Sequence, residues 1–185
     1  MAVIGLTGYA GSGKSAVAQF LVEDHGFTRL SFAAPLKRMV RTLDPIIAND
    51  GRRLSDLWDP HQGDESHIKK WYPEYRRVLR VLATECIREH DPDFWVKAAL
   101  SQIETFKNYV FDDCRFPNEA ELVLDWNLHG LWNISRPGLE ATNSHASEQH
   151  AGKLAETVWI SNDGTLEDLR GYVAEALAEM TVKRA

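Results

Sequence analysis

Short apolar runs alternate with helical patterns along most of the chain. The runs are rich in Val, Ile, Leu, Tyr and Phe and have the length of buried strands. They cover residues 3–7, 28–32, 109–112, 131–135 and 157–161. Because strands that alternate with helices pair through crossover connections, the pattern predicts an α/β fold with a parallel sheet of about five strands and helices on both faces.

Capping and helix-breaking residues mark where the intervening helices begin and end. Gly26 and Gly130 follow the last apolar positions of two helices, and Pro35 lies in the first turn of another. Thr165 and Asp168 have the spacing of a capping box. The predicted helices cover residues 14–25, 35–43, 73–90, 92–106, 118–129 and 165–180.

Two polar segments, residues 44–71 and 136–156, do not fit this alternation. Both are rich in Asp, His, Gly and Ser and lack clear periodicity. Long loops in a compact domain more often cover a ligand than merely connect elements, so we favour loops that cover a substrate over disordered ones. The second segment carries Arg136, His145, His150 and Lys153.

Composition narrows the class of protein. The chain has 185 residues, 44% of them hydrophobic, a net charge of -6 and two cysteines, Cys86 and Cys114. The acidic balance argues against a groove for a nucleic-acid polymer and favours mononucleotide ligands. Two cysteines are too few for a disulfide framework or a four-ligand zinc site. With no bilayer-length apolar run and no signal-peptide pattern, we expect a cytoplasmic protein that does not bind membranes.

Residues 8–15 read G-Y-A-G-S-G-K-S, the phosphate-binding loop G-x-x-x-x-G-K-[ST], between a predicted strand and a predicted helix. Lys14 is expected to reach the β- and γ-phosphates of a nucleoside triphosphate, and the Ser15 hydroxyl to bind Mg²⁺. The alternative is a flexible turn. The residues expected to contact the triphosphate here are Gly8, Ala10, Gly11, Ser12, Gly13, Lys14, Ser15 and Ala16.

A second cluster of cations follows the second predicted strand. Residues 31–38 read S-F-A-A-P-L-K-R and place Lys37 and Arg38 in the first turns of a helix. They suit an anionic acceptor. The alternative is a solvated helix face.

With these segments, the chain resembles the deoxynucleoside monophosphate kinases of tailed bacteriophages, a P-loop kinase family related more distantly to dephospho-coenzyme A kinase. The further matching segments, in the family's order, are Arg76 with Leu79, A-T-E at 83–85 with Arg88, D-P-D-F-W at 91–95, D-C-R-F-P-N-E at 113–119, H-A-S-E at 145–148 and N-D-G-T at 162–165. Within the A-T-E segment, Ala83 departs from the family, which usually has Gly at this position.

The resemblance implies a three-layer P-loop kinase fold. It also implies a single domain over residues 1–185. Its core would comprise residues 1–43 and 107–185, with an acceptor-binding helical insertion at about 44–106 and a lid at about 136–156. The implied reaction transfers the γ-phosphoryl group of ATP to a deoxynucleoside monophosphate, with Mg²⁺, and gives ADP and a diphosphate for phage DNA synthesis.

Several arginines are expected to converge on the highly charged transition state. Arg115 follows a strand, where open α/β sheets bind ligands, so we favour a clamp on the acceptor phosphate over an ion pair with Glu119. Asp113 is expected to hold a magnesium-bound water or to orient the acceptor, whereas Asp112 has a turn cap as its alternative. The other candidate arginines are Arg76, Arg88 and Arg136, the last as an arginine finger at the start of the lid.

The remaining assignments concern the acceptor and the adenine. Thr84 and Glu85 precede Arg88 by about one turn, so Glu85 could hold its guanidinium, although an exposed helix pair is as compatible with the spacing. Trp71 and Trp95 are expected to stack on the acceptor base or to pack in the core, and Trp126 and Trp132 to pack in the core. Asn162 and Gly164 resemble a loop that contacts adenine through its backbone, and His145 and Glu148 are expected to order the lid.

Two other function classes stay open. One is another small-molecule kinase, such as one acting on dephospho-coenzyme A. The other is an ATP-binding or switch module without an acceptor, although the N-K-x-D motif of switch GTPases is absent. A homodimer through helices at 73–106 is a further expectation.

Overall fold

The computed structural model describes residues 1–58, 60, 63–125, 130–139, 154 and 156–182. The backbone forms two compact units, Met1–Phe32 with Ala99–Ala185 and Ala33–Ala98. The described strands are β1 Val3–Thr7, β2 Thr28–Leu30, β3 Tyr109–Phe111, β4 Leu131–Ser135 and β5 Val158–Ser161. The described helices are α1 Lys14–His25, α2 Ala34–Leu43, α3 Leu54–Trp58, α4 Glu65–Trp71, α5 Pro73–Arg80, a π-helical segment Val81–Arg88, α6 Phe94–Leu100, α7 Pro117–Asp125 and α8 Leu166–Val182.

The first unit is built on a sheet in which β1 is the central strand. The five strands lie in the order β2-β3-β1-β4-β5, and every pair is parallel. Gly5 of β1 aligns with Phe111 on one side and Leu131 on the other. The carboxyl ends of β1, β3 and β4 therefore lie side by side, and the loops that follow them share one edge of the sheet.

Helices cover both faces of this sheet. On one face, Ile4 and Leu6 pack in a common core with Leu21 of α1 and Val173 of α8. On the other, a side chain at Gly5 would meet Val123 of α7 and Cys114 at 3.0 and 2.8 Å, so glycine lets this layer approach closely. The predicted five-stranded parallel sheet with helices on both faces is confirmed.

The helix boundaries predicted from capping residues are confirmed at both ends of α1 and at the start of α8, whereas the end predicted at residue 129, before Gly130, lies outside the described residues. Helix α1 has the predicted bounds. Its C-terminal cap, Gly26, has φ +68°, and the cap N–H donates a hydrogen bond to the Leu21 carbonyl. Before α8, the Thr165 N–H donates to the Asp168 carboxylate at 2.8 Å, and the Asp168 N–H donates back to the Thr165 hydroxyl at 3.2 Å. These two bonds form the predicted capping box.

The second unit is helical and has its own core. It corrects the prediction of a loop over residues 44–71, because α3 and α4 lie there. Both helices are too short to show a helical period in the sequence. Asp64 caps α4 by accepting the Ser66 N–H at 2.8 Å. The fully buried core side chains include Val40, Leu54, Leu57, Ile68 and Tyr75.

The predicted α-helices at 73–90 and 92–106 also need correction. Helix α5 ends at Arg80, and the chain continues as the π-helical segment Val81–Arg88. The second helix is shorter than predicted, at Phe94–Leu100. Among the described residues, no helix is long and apolar enough to cross a bilayer.

Candidate active site

The phosphate-binding loop joins β1 to α1 and lies close against the ends of β4 and β5. Gly8 has φ +125°, and a Cβ there would lie 2.2 Å from the Ile134 carbonyl oxygen of β4. Gly13 has φ +111°, and a Cβ there would lie 2.5 Å from Asn162 Nδ2, just after β5. Only glycine tolerates both the positive φ and the close approach at these positions.

Lys14 and Ser15 begin α1 at the positive end of its dipole. Lys14 Nζ donates to the carbonyl oxygens of Gly8 and Tyr9, each at 2.7 Å, so the ammonium group lies against the loop. Ser15 is exposed, and its hydroxyl makes no hydrogen bond to the described part of the chain. A helix N-terminus with an ammonium group and an accessible hydroxyl suits a magnesium-bound polyphosphate.

The loop after β5 contacts the phosphate-binding loop directly. Asn162 Nδ2 donates to the Ser12 carbonyl oxygen at 2.9 Å, and the Asn162 backbone N–H donates to the Ser135 carbonyl at 2.7 Å. At Gly164, a Cβ would lie 2.6 Å from Asp168 Oδ2. Glycine thus leaves room for the capping box of α8. The contact of Asn162 and Gly164 with adenine stays a prediction.

Two adjacent carboxylates after β3 tie this strand end to β2. Both the Nε and an Nη of Arg29 donate to Asp112 Oδ2, the former at 2.9 Å, so Asp112 is ion-paired and does not simply cap a turn. Asp113 Oδ2 accepts from Ser31 Oγ at 2.7 Å, and its Oδ1 accepts the Phe32 N–H at 2.9 Å. The Asp113 carboxylate is therefore held in one orientation at the carboxyl edge of the sheet.

Glu119 shapes the turn that carries Arg115. It is 3% exposed, and its Oε2 accepts the backbone N–H groups of Arg115 at 2.8 Å and Phe116 at 3.1 Å. The Arg115 side chain is exposed, and its guanidinium makes no hydrogen bond or ion pair to any residue that the structure describes. Glu119 thus binds the Arg115 backbone and leaves the charged group accessible.

Cys114 lies beneath this turn as a packing residue. Its thiol is buried, and burial raises its pKa well above the ordinary value, with the negative charges of Glu119 and Asp113 adding to the effect. A thiol with a raised pKa is a poor nucleophile. Cys114 therefore contributes packing against Gly5 and no reactive group.

In the second unit, Glu65 forms an ion pair with Lys37, a cation that the sequence assigned to the acceptor. Its carboxylate lies 2.9 Å from Lys37 Nζ and 3.0 Å from Lys69 Nζ, and it accepts the Tyr75 hydroxyl at 3.2 Å. Burial raises the pKa of Glu65, but the two ammonium groups outweigh burial and hold that pKa below its ordinary value. Arg76 donates through Nε to the Lys69 carbonyl at 2.8 Å.

The π-helical segment changes the neighbours of Thr84, Glu85 and Arg88. In a π-helix, residues five apart bond to each other, and the Glu89 N–H donates to the Thr84 carbonyl at 3.3 Å. Glu85 accordingly lies 3.8 Å from Arg80, five residues before it. Arg88 donates to the Pro92 carbonyl at 3.2 Å. Of the two alternatives that the spacing left open, the Glu85–Arg88 pair does not form, because it assumed α-helical winding.

The tryptophans differ sharply in exposure. Trp71 is 61% exposed, with Lys70 Nζ 5.2 Å from its ring centroid. Trp95 is 3% exposed and donates through Nε1 to the Ala83 carbonyl at 3.2 Å. Burial favours core packing over base stacking for Trp95, whereas Trp71 has an accessible ring. Trp132 is fully buried, which confirms it as a core residue.

The predicted lid is described only at its ends. Arg136 follows β4 directly and is exposed. Trp126 and the predicted lid residues His145, Glu148, His150 and Lys153 lie outside the described residues.

Sequence reasoning missed three side chains that organise these sites. Ser31 and Arg29 hold the two aspartates, and Glu65 holds Lys37. Ser31 lies in a motif that the sequence singled out, but its partner is 82 positions away. Glu65 lies in the segment predicted as a loop, so nothing marked it.

The comparison with protein families decides the class. The family model for deoxynucleotide monophosphate kinase matches residues 65–173, more than half of the chain. The chain belongs to the deoxynucleotide monophosphate kinase family. As a member it is a nucleotide-binding phosphotransferase of the kinase class.

Individual relatives are distant. A protein of Acanthamoeba polyphaga mimivirus, whose name provisionally gives it the same activity, is 25% identical over 94% of both chains. The deoxynucleotide monophosphate kinase of phage T4 is 24% identical over 90% of this chain, which spans 61% of the T4 protein.

Two solved structures are similar at a low level. A gluconokinase from Sinorhizobium meliloti has a TM-score of 0.49 and 14% identity, with 97% of this chain and 93% of that chain covered. A dephospho-CoA kinase from Campylobacter jejuni has a TM-score of 0.47 and 13% identity, with 96% of each chain covered.

Proposed function

We propose that the protein transfers the γ-phosphoryl group of ATP to the phosphate of a deoxynucleoside monophosphate, giving ADP and a deoxynucleoside diphosphate. The family match over residues 65–173 carries this proposal. The matched stretch includes Arg76, Arg88 and Arg115, which we assign to the acceptor. The phosphate-binding loop precedes it and supplies the donor side.

On the donor side, the loop and α1 bind the triphosphate. Backbone N–H groups of residues 8–16 and the N-terminus of α1 surround the phosphates, and the Lys14 ammonium moves from the Gly8 and Tyr9 carbonyls toward the β- and γ-phosphates. Because the transition state is loose and highly charged, holding these groups in place accounts for much of the rate enhancement.

Mg²⁺ fits the oxygen groups available at this edge of the sheet. Magnesium is usually held by one or two protein oxygens together with substrate phosphates. Ser15 offers an exposed hydroxyl, and Asp113 offers a carboxylate that Ser31 and Phe32 already orient. Among the described residues there is no cluster of three or more His, Cys, Asp or Glu that would form a separate cage. When bound, the ion neutralises charge on the phosphates.

On the acceptor side, Arg115 binds the phosphate of the monophosphate. Its guanidinium is exposed, has no partner among the described residues and follows the strand next to β1. A guanidinium recognises a phosphate through two parallel hydrogen bonds. The acceptor phosphate would thereby be held at the sheet edge that carries the donor loop.

The remaining assignments follow the family resemblance. Arg136 contacts the transferring group from the start of the lid, and Trp71 stacks on the base. The other residues that we assign to the acceptor are Lys37, Thr84 and Glu85. Since the two curated relatives are viral, we propose that the diphosphate supplies viral DNA synthesis.

An acceptor panel tests this function. ADP release would be followed with ATP and Mg²⁺ against dAMP, dGMP, dCMP, dTMP, their ribose counterparts and dephospho-coenzyme A, with ATP alone as the control. We expect ADP release to depend on at least one deoxynucleotide. Release with dephospho-coenzyme A alone, or release without any acceptor, would contradict the proposal.

A further inference from the structure

Asn162 connects two parts of the donor site that are separate in the sequence. Its backbone N–H is fixed by the Ser135 carbonyl at the end of β4, at 2.7 Å. Its side-chain amide then reaches the Ser12 carbonyl of the phosphate-binding loop at 2.9 Å, a contact between residues 150 positions apart. Ser12 is 1% exposed, so water has little access to replace this bond.

The bond fixes one peptide plane of the loop. In a trans peptide the C=O and the following N–H point in opposite directions. When Asn162 Nδ2 holds the Ser12 oxygen, the Gly13 N–H must point away from Asn162. Gly13 is the last residue before α1, where loop N–H groups meet phosphate oxygens.

The same side-chain amide also restricts the conformations that the loop can adopt. A Cβ at Gly13 would lie 2.5 Å from Asn162 Nδ2, so the amide occupies the space beside the Gly13 backbone. Gly13 already has φ +111°, a conformation that an unsupported glycine exchanges readily for others. A loop without the amide would therefore lose its preference for this conformation.

We propose that Asn162 is a positioning residue for the phosphate-binding loop, which orients the Gly13 N–H toward the triphosphate through the Ser12 carbonyl. The proposal rests on the proposed function only in taking a nucleoside triphosphate as the donor. It adds to the expectation that this loop contacts adenine through its backbone, because the Asn162 side-chain amide binds the phosphate-binding loop and serves the phosphates whatever the base.

Asn162→Leu tests the proposal, since leucine keeps the size of the side chain and removes the donor. Dissociation constants would be measured by calorimetry, with Mg²⁺, for ATP and for inorganic tripolyphosphate, which has no base. We expect the dissociation constants of both ligands to rise by a similar factor, roughly ten- to a hundredfold. This is the loss of affinity expected when one hydrogen bond to a charged group is removed. Asn162→Ala is the second variant, used if leucine prevents folding.

Asn108→Leu is the matched control. Asn108 directly precedes β3, at the amino-terminal end of the strands and away from the phosphate-binding loop. Its Oδ1 accepts the Ala2 N–H at 2.8 Å. We expect this variant to bind both ligands like the wild type. If the Asn162 variant binds ATP more weakly but binds tripolyphosphate as the wild type does, Asn162 recognises the base, and the proposal is overturned. Unchanged binding of both ligands, or no tripolyphosphate binding by the wild type, would also overturn it.

These measurements need no acceptor. Parallel weakening of both ligands in a protein that shows no deoxynucleotide-dependent ADP release would contradict the proposed function and leave the role of Asn162 intact.

Discussion

Lys14 holds its ammonium group against the Gly8 and Tyr9 carbonyls, within the loop that it is proposed to serve. Lys14→Ala removes the cation that stabilises the transferring group. We expect kcat to fall by roughly 10²- to 10³-fold, the usual effect of removing one preorganised donor to a developing charge. Steady-state kinetics would measure the fall. A thermal unfolding midpoint close to that of the wild type would show that the fold is intact, and near-normal turnover would exclude the loop from the mechanism.

The Arg115 guanidinium has no described partner, whereas Arg29 and Arg170 of the first unit are ion-paired. Arg115→Ala should raise KM for the acceptor and lower acceptor-dependent turnover, because it removes the phosphate clamp, and should leave the dissociation constant for ATP nearly unchanged. Kinetics with varied acceptor, together with ATP calorimetry, would separate the two effects.

Arg170→Ala is the matched control for Arg115. Arg170 pairs with Glu23 and Asp24 at 2.8 and 3.2 Å, between α8 and α1, and we assign it no role in the reaction. We expect wild-type kinetics from this variant. An equal loss of ATP binding in Arg115→Ala would place Arg115 on the donor side and contradict its assignment.

At the scale of elements, the start of α7 depends on a buried carboxylate. Glu119→Ala would leave the N–H groups of Arg115 and Phe116 without their acceptor. The expected cost is about 1–3 kcal/mol of unfolding free energy, as for other buried groups that lose a partner. Urea unfolding would measure it. Glu121→Ala, an exposed position on the same helix, is the control, and equal stabilities of the two variants would refute the capping role.

Glu65 joins α4 to Lys37 of α2 and Tyr75 of α5, and it gives the second unit a pH dependence. Its folded pKa is lowered, so its stabilising effect is present above the ordinary carboxyl pKa of 4.5 and is lost as the pH falls below that value. Glu65→Gln should therefore unfold at a lower temperature than the wild type at pH 7. The difference between the unfolding temperatures of the variant and the wild type should narrow as the pH falls below 4.5.

Thermal unfolding from pH 7 to 3 measures the effect of Glu65. Glu121→Gln should follow the wild type throughout this range. A Glu65→Gln deficit that stays constant with pH would mean that ionisation of the carboxylate does not supply the stabilisation, and it would contradict this pH dependence.

How far the sequence predicts each element depends on how local its signals are. Helix α1 was predicted with its observed bounds, because the Gly13 loop before it and Gly26 after it are local signals. Helices α3 and α4 were missed because five and seven residues are too few to show a period. The π-helical winding of residues 81–88 carries no sequence pattern that separates it from an α-helix.

The candidate site divides in the same way. The phosphate-binding loop could be predicted because its residues are contiguous and their chemistry is specific. The bonds from Ser31 to Asp113 and from Asn162 to Ser12 could not, because they join residues 82 and 150 positions apart and depend on strand order. The position of Glu119 near Arg115 was evident, but not that its carboxylate binds the Arg115 backbone.

For the whole molecule, the central claim is that a phosphoryl group passes from ATP to a deoxynucleotide. A release assay reports only the loss of that group from ATP, so transfer is tested most directly with ATP labelled at the γ-phosphate. Protein, Mg²⁺, labelled ATP and each deoxynucleoside monophosphate would be incubated and the nucleotides separated. The account predicts label in the β-phosphate of a deoxynucleoside diphosphate, in amounts equal to the ADP formed. Label found only in inorganic phosphate would contradict it.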